Sequence, residues 1–229
     1  MGNSPLVSFT RISPNSTNPR NQKIDRITIH HMAGNLSVES CGATFADPAR
    51  EASSNYGIGT DGRIGLYVEE KNRSWCSGGN KPNDIMTGRD NDFRAVTIEV
   101  ANDSREPDWH ISDKALESLI ALCVDICQRN GIPKLNFTGD ATGNLTLHNF
   151  FSYTLCPGPY LESKIPYIVE QVNSKLGTVK VEQTEQATQE TKTLYRVQVG
   201  AYSVRSNAEA MLKKIKAAGF DDAFITTAK

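Results

Sequence analysis

Runs of β-branched and apolar residues predict strands in the first half of the chain. The patterns cover residues 24–30, 55–59, 64–68 and 95–101. Asp61 and Gly62 separate the second run from the third, and an Asp-Gly pair favours a tight hairpin turn. The last run is the most apolar, and Glu99 interrupts it between Ile98 and Val100.

Apolar residues at helical spacing predict two longer helices further along the chain. The first spans residues 113–130, with Ser112 as its N-cap and Gly131 as the residue that ends it. The second spans residues 160–176, with Pro166 in or near its first turns. Other segments give weaker patterns: an irregular arm at 1–23, a weak helix from Ser37 or Ser40, a glycine-rich loop at 74–83 and a loop-like stretch at 137–147.

The composition changes after the second helix. Residues 177–193 are rich in Thr, Gln and Glu and have no aromatic residue, which predicts a solvated linker. Residues 194–229 then give a strand at 194–202, a helix from Ser206 and a strand at 223–226. This βαβ piece of about 36 residues is shorter than the ~40 residues below which folding alone becomes doubtful, so we expect it to need a partner.

Composition and charge exclude several classes of protein. The 229 residues carry a net charge of -1, so no dominant attraction to nucleic acid or to an anionic membrane is expected. No apolar run approaches the ~20 residues that a membrane span needs. The N-terminus lacks a basic region followed by an apolar stretch, so we see no secretory signal. A protein of this kind that acts outside the membrane must be delivered by another route.

The chain has 5 cysteines, and an odd number argues against a regular disulfide framework. Cys123 and Cys127 lie one helical turn apart in an apolar stretch, which favours two small buried side chains. Cys41 and Cys76 could pair in an oxidising compartment, and the sequence leaves that open.

Histidine and cysteine residues in two distant segments suggest a metal site. His148 and Cys156 lie in one short stretch, and Pro157 restricts the chain directly after the thiol. His30 and His31 lie at the end of the first predicted strand, where successive side chains point to opposite faces, so one metal cannot easily take both. Two imidazoles and one thiolate, with a position left for water, make an open zinc site of the catalytic kind. The alternative for a histidine at a strand end is a hydrogen-bonded structural group.

Glu99 is the candidate general base. If both faces of its strand are covered, it is a buried carboxylate that needs a partner, whereas on an edge strand it would face water. Beside a metal ion such a carboxylate could accept a proton from the attacking water. The reaction class is then metal-assisted amide hydrolysis, and the chemical alternative is cleavage with Cys156 as a nucleophile.

Residues 24–176 resemble the zinc-dependent N-acetylmuramoyl-L-alanine amidases of the type 2 class, which are relatives of peptidoglycan recognition proteins and of phage amidase lysozymes. The matching segments are ITIHHMAG at 27–34, NYGIGTDGRI at 55–64, VTIEVAN at 96–102, and LH at 147–148 with TLCPG at 154–158. Each segment is short, and their order and spacing together make the resemblance specific.

The resemblance implies a zinc cofactor and a set of site residues. Carried over residue by residue, the zinc ligands are His30, His148 and Cys156. The chain looks like the branch of the family with a glutamate on the central strand, here Glu99, and Thr154 stands where the family often places a residue that stabilises the oxyanion. Some members use a tyrosine at the position that is Ser54 here, with Tyr56 two residues away, which puts a tyrosine-assisted mechanism in doubt.

The same resemblance implies the fold and the substrate. The expected fold is α/β, with a mixed, largely parallel central sheet flanked by helices in a catalytic domain at 1–176. The expected substrate is peptidoglycan, cut at the amide between N-acetylmuramic acid and L-alanine. The C-terminal module at 194–229, after the linker at 177–193, resembles half of a sporulation-related repeat (SPOR) domain. It could bind glycan strands or pair with a second copy of the chain in a homodimer.

Three hypotheses about the function follow. The main one is a wall-lysing amidase, either a phage endolysin or a bacterial autolysin, made in the cytoplasm and acting on the cell wall after release. The second is a non-catalytic recognition module, although noncatalytic relatives commonly lack the ligand at Cys156. The third is a cysteine peptidase, which would survive zinc removal and be inactivated by thiol alkylation. No nucleic-acid or membrane partner is expected.

Overall fold

The computed structural model describes residues 2–185, 199–220 and 223–226. The chain divides into two units, Met1–Gln186 and Ala187–Lys229. The strands are β1 (Phe9–Thr10), β2 (Ser16–Thr17), β3 (Arg26–His31), β4 (Tyr56–Ile58), β5 (Ile64–Leu66), β6 (Arg73–Ser74), β7 (Ala95–Val100) and β8 (Leu145–Leu147). The helices are α1 (Val38–Ala46), α2 (Gly88–Arg94), α3 (Asp113–Asn130), α4 (Pro159–Glu185) and α5 (Arg205–Ala217), with 3₁₀ turns at Pro48–Arg50 and His148–Phe150.

A six-stranded sheet forms the centre of the first unit, in the order β1-β5-β4-β7-β3-β8. The β4–β5 pair is antiparallel, and the other neighbours in this sheet are parallel. A separate antiparallel pair joins β2 to β6. This architecture confirms the predicted α/β class with its mixed, largely parallel sheet.

The strand predictions hold for β3, β4, β5 and β7. The prediction of a loop over residues 137–147 is wrong at its end, because β8 occupies Leu145–Leu147 and pairs with β3. Its sequence, Leu-Thr-Leu, alternates, but three residues are too few to predict a strand without the neighbouring β3. The predicted irregular arm likewise contains β1 and β2, two-residue strands whose partners lie far along the chain.

The predicted ends of α3 are confirmed. Ser112 is its N-cap, and its hydroxyl accepts the N–H of Ala115 at 3.1 Å. Gly131 adopts φ 67° at the other end, a left-handed conformation that glycine takes without steric cost.

The predicted end of the second helix is wrong, because α4 continues past Leu176 to Glu185. The first part of the predicted linker at 177–193 is therefore helical, and its last part lies outside the described residues. Gly177 costs only about 1 kcal/mol relative to alanine in a helix, and no proline follows it to prevent continuation. Pro166 lies inside α4 rather than at its start.

The two faces of the central strands carry different kinds of side chain, apolar on one face and polar on the other. Successive side chains of β3 and β7 point to opposite faces, and the register pairs Ile29 with Ile98 and His30 with Glu99. The face of Ile29 and Ile98 packs into the main apolar core with residues of α3 and α4. The face of His30 and Glu99 is covered by other elements. Asn91 of α2 donates to Thr28 on that face at 2.8 Å.

The described part of the second unit contains the predicted helix but not the predicted strands. The helix α5 spans Arg205–Ala217 and has no buried residue. Of the strand predicted at 194–202, the first residues lie outside the described residues, and 199–202 form no strand. Residues 223–226 form none either. The local pattern alone does not decide strand formation in the described part of the chain, because a strand also needs a neighbouring strand with which to form its backbone hydrogen bonds. No helix there is long and apolar enough to cross a membrane.

Candidate functional site

Three of the residues predicted as ligands meet at the carboxyl end of the sheet. His30 ends β3, and His148 begins the 3₁₀ turn that follows β8, the parallel neighbour of β3. Because parallel strands end at the same edge, the two rings approach to 4.5 Å between centroids. The ligand atoms of His30, His148 and Cys156 all lie within 4.8 Å of one another.

Backbone hydrogen bonds hold Cys156 against the end of β3. The N–H of His31 donates to the Cys156 Sγ atom at 3.2 Å. The carbonyl of Cys156 accepts the N–H of Asn149 at 3.2 Å, which ties the cysteine loop to the turn that carries His148. The sulfur therefore reaches the two imidazoles through the loop after β8.

The environment of His30 fits a metal ligand better than a structural histidine. Its side chain is 0% exposed, and neither ring nitrogen has a hydrogen-bond partner among the described residues. Leaving a buried polar atom unsatisfied costs about 1–3 kcal/mol, so a bound cation would remove that penalty. The alternative of a hydrogen-bonded strand-end histidine does not agree with these contacts.

The protonation of the trio also suits a cation. Burial lowers the pKa of His30 well below its usual value and that of His148 to about 4, so both rings are in the neutral form that binds metals. Burial raises the pKa of the Cys156 thiol, and a coordinated metal would reverse that by stabilising the thiolate. Two nitrogens and one sulfur form a donor set that suits zinc.

Glu99 lies beside His30 on the neighbouring strand. β7 is an interior strand between β4 and β3, so the alternative of an edge-strand glutamate facing water is wrong. Its Oε2 atom is buried and lacks a hydrogen-bond partner in the described part of the chain. Burial raises the pKa of Glu99 to about 8, while Arg50 and a hydrogen bond from Cys76 oppose the rise.

Cys76 is a neighbour of the site to which the sequence assigned no role. Its Sγ atom lies 3.9 Å from Glu99 Oε1, and the ligand atoms of His30, Cys76 and Glu99 lie within 4.8 Å of one another. The only signal was its place in the glycine-rich loop at 74–83, a kind of segment that often carries binding groups. The cysteine is free in the structure, like the other four, so the pairing with Cys41 that the sequence left open is not formed there.

The remaining candidates divide into near and distant groups. Thr154 is exposed next to the ligand cysteine, and its Oγ1 atom accepts the N–H of Cys156 at 3.1 Å. The Tyr56 hydroxyl instead donates to Glu70 at 2.6 Å, and Ser54 donates to the carbonyl of Tyr56 at 2.9 Å. Their hydrogen bonds therefore give neither Ser54 nor Tyr56 a role at the site.

A cavity of about 320 Å³ opens where the chain leaves β3 and β7. Its lining includes Met32, Asn35, Asn102 and Arg105. Ligands of open α/β sheets bind outside the carboxyl ends of the strands, and this cavity occupies such a position.

Several solved structures, an endolysin and a hydrolase among them, share this fold. The structure of PlyL is 14% identical and covers 72% of this chain and 95% of its own, with a TM-score of 0.53. A mutant endolysin from Bacillus subtilis is 16% identical over 73% of this chain and 99% of its own, with a TM-score of 0.54. The Staphylococcus aureus hydrolase AmiA, in complex with its ligand, is 15% identical over 76% of this chain and 85% of its own, with a TM-score of 0.56. No curated protein matches the chain.

Two family models match the sequence. The SPOR domain model matches residues 169–226, so the match begins inside α4 and earlier than the module predicted at 194–229. The model of the N-acetylmuramoyl-L-alanine amidases (Amidase_2) matches residues 20–159, a range that contains every candidate site residue. Both domains indicate peptidoglycan as the partner, and neither supports the predicted homodimer. The chain belongs to the N-acetylmuramoyl-L-alanine amidase family, and its enzyme class is that of these amidases.

Proposed function

We propose that this amidase is zinc-dependent and lyses cell walls by hydrolysing the amide between N-acetylmuramic acid and L-alanine. His30, His148 and Cys156 hold the zinc ion. The observation that carries the proposal is the buried trio itself, in which both nitrogens of His30 lack a partner among the described residues. A donor set of two imidazoles and one thiolate leaves a position open for water and substrate.

Glu99 moves the proton in this reaction. When bound, zinc polarises the scissile carbonyl and acidifies the attacking water. The Glu99 carboxylate, beside His30, accepts a proton from that water and passes it to the leaving nitrogen. Burial is the main cause that raises the pKa of Glu99 to about 8, and a cation bound next to it favours the ionised, proton-accepting form.

Thr154 stabilises the charge that develops on the carbonyl oxygen. It lies two residues before the ligand Cys156, and its side chain is exposed. Its hydroxyl can donate one hydrogen bond to the oxyanion but supplies no positive charge, so its contribution is smaller than that of a lysine in the same place.

The cavity beyond β3 and β7 takes the stem peptide. It lies next to the end of the strand that carries His30, and its lining combines the guanidinium of Arg105, the carboxylate of Asp103 and the amide of Asn35. Arg105 suits a carbonyl or carboxylate of a peptide, and Asp103 suits a backbone N–H group. The peptide side of the scissile bond would therefore lie in this cavity.

In this proposal, catalysis and glycan binding belong to different parts of the chain. We assign catalysis to the domain predicted at 1–176 and glycan binding to the part of the chain that follows it and matches the SPOR model. In this proposal the enzyme is an endolysin or an autolysin that is made in the cytoplasm and reaches the wall after release.

Metal analysis combined with wall lysis tests the proposal. The purified chain is expected to contain about one zinc ion and to lyse isolated cell walls. Chelation should abolish lysis, and added zinc should restore it. Zinc without lysis of any wall type would support the recognition module. Lysis that persists without zinc and is lost on thiol alkylation would support the cysteine peptidase and overturn the metal site.

A further inference from the structure

Two groups of potential metal ligands overlap at His30. One is the trio of His30, His148 and Cys156, and the other combines His30 with Cys76 and Glu99. In each group the ligand atoms lie within 4.8 Å of one another. The second group brings a sulfur and a carboxylate oxygen to the side of His30 where the proposed general base lies.

The second group has an unsatisfied atom that points to a ligand. The buried Oε2 atom of Glu99 has no hydrogen-bond partner within the described ranges, whereas the nitrogens of His30 serve the first site. The contact from Cys76 to the other carboxylate oxygen is 3.9 Å long, and a thiol is a weak donor. This contact is a poor hydrogen bond for the carboxylate. A structural hydrogen bond therefore does not explain why Cys76 and Glu99 lie next to each other.

Asp92 fixes Cys76 in this position. The backbone N–H groups of Cys76 and Ser77 both donate to Asp92 Oδ2 at 2.9 Å. The Ser77 hydroxyl donates to the other oxygen of Asp92 at 2.5 Å. The loop that carries the thiol is therefore anchored to α2, and the sulfur is held beside Glu99 by the backbone.

We propose that Cys76 and Glu99 form a second metal site, which takes a thiophilic divalent ion next to the ion held by His30, His148 and Cys156. Thiolate and carboxylate are both zinc ligands, and the thiol releases its proton to water on binding. With two protein ligands instead of three, this site fills only when metal is in excess. Its occupation inhibits the enzyme, because a carboxylate bound to a cation no longer accepts a proton from water.

The inference rests on the proposed function for its first ion, but its test counts ions directly. Equilibrium dialysis of the metal-free full chain against excess Zn²⁺ is expected to give two ions for the wild type and one for Cys76→Ser. Serine keeps the size of the side chain and a donor toward Glu99 but is a poor zinc ligand. Cys123→Ala, a cysteine substitution in the core of α3, is the control and should still bind two ions.

Cobalt absorption shows whether the thiol itself coordinates. The second equivalent of Co²⁺ should increase the thiolate-to-cobalt absorption in the wild type and in Cys123→Ala, but not in Cys76→Ser. In wall lysis, excess Zn²⁺ should cause loss of activity in the wild type, and Cys76→Ser should resist that loss.

The outcomes separate this inference from the proposed function. One ion in the wild type at any excess overturns the second site and leaves the proposed function standing. Two ions in both the wild type and Cys76→Ser place the second ion elsewhere and also overturn it. If no ion binds, both the catalytic zinc site and the second site are wrong.

Discussion

The two faces of the central sheet are built from the same strands but are stabilised in different ways. On one face Ile27, Ile29 and Ile98 are fully buried and belong to the apolar core. On the other face Thr28 and Thr97 are just as buried. Burial therefore does not distinguish the faces; what differs is whether packing or hydrogen bonding compensates for the loss of water.

The polar face is satisfied at one end and unsatisfied at the other. Thr28 and Thr146 share a hydrogen bond of 2.8 Å, and Ser74 and Thr97 share one of 2.7 Å. At the carboxyl ends of the same strands, His30 and Glu99 retain buried polar atoms without partners in the described residues. Buried polar groups in proteins are nearly always paired. The place where pairing stops is therefore where we propose that the ligand binds.

The largest expected effect comes from removing a proposed zinc ligand at the end of the polar face, where buried polar atoms lack partners in the described residues. His148→Ala removes one of the three proposed zinc ligands, so the purified variant should contain little zinc and show no wall lysis. His110→Ala is the matched control, because this exposed histidine pairs with Asp103. Elemental analysis and lysis of isolated walls measure both properties. Full zinc content in His148→Ala would remove this histidine from the site.

Glu99→Ala should separate catalysis from metal binding. General-base catalysis contributes typically 10²–10⁴-fold, so turnover should fall by about that factor while about one zinc ion per chain remains. Rates of wall lysis at matched zinc content measure this effect. Activity equal to the wild type would exclude Glu99 from the mechanism.

Ile98→Ala tests the apolar face directly next to that glutamate. The change leaves a cavity between the sheet and its helices and should lower the free energy of unfolding by about 2–5 kcal/mol. Zinc content and the activity of the folded protein should be close to those of the wild type. Denaturant unfolding measures the loss, and the converse result, stable protein without zinc, would contradict the separation of the two faces.

Thr28→Val and Ile29→Val compare the faces within one strand and give the smallest expected effects. Thr28→Val leaves Asn91 and Thr146 without their shared partner and should cost about 1–3 kcal/mol. Ile29→Val removes one methylene and should cost about 0.5–1.5 kcal/mol. Unfolding of both variants under the same conditions gives the ranking. An equal or reversed order would mean that the threonine network is not what stabilises the polar face.

Local patterns predicted the elements that carry their own signals. The helix α3 has its stripe, its cap at Ser112 and its stop at Gly131, and β7 has a long apolar run. The strand β8 was missed because an alternation of only three residues is too short to predict a strand, and pairing with the distant β3 makes them one. In the C-terminal unit, by contrast, residues 199–202 and 223–226 have the pattern of a strand but do not form one.

The sequence by itself determined which residues are candidates for the site: His30, His148, Cys156, Glu99 and Thr154 stand in short segments that resemble those of the amidase family. Only the tertiary structure decided that three of them converge, that Glu99 is an interior residue beside His30, and that Cys76 joins them. The reason is physical. Strand alternation tells which residues share a face, but the order and register of strands depend on contacts between residues far apart in sequence, which no local pattern encodes.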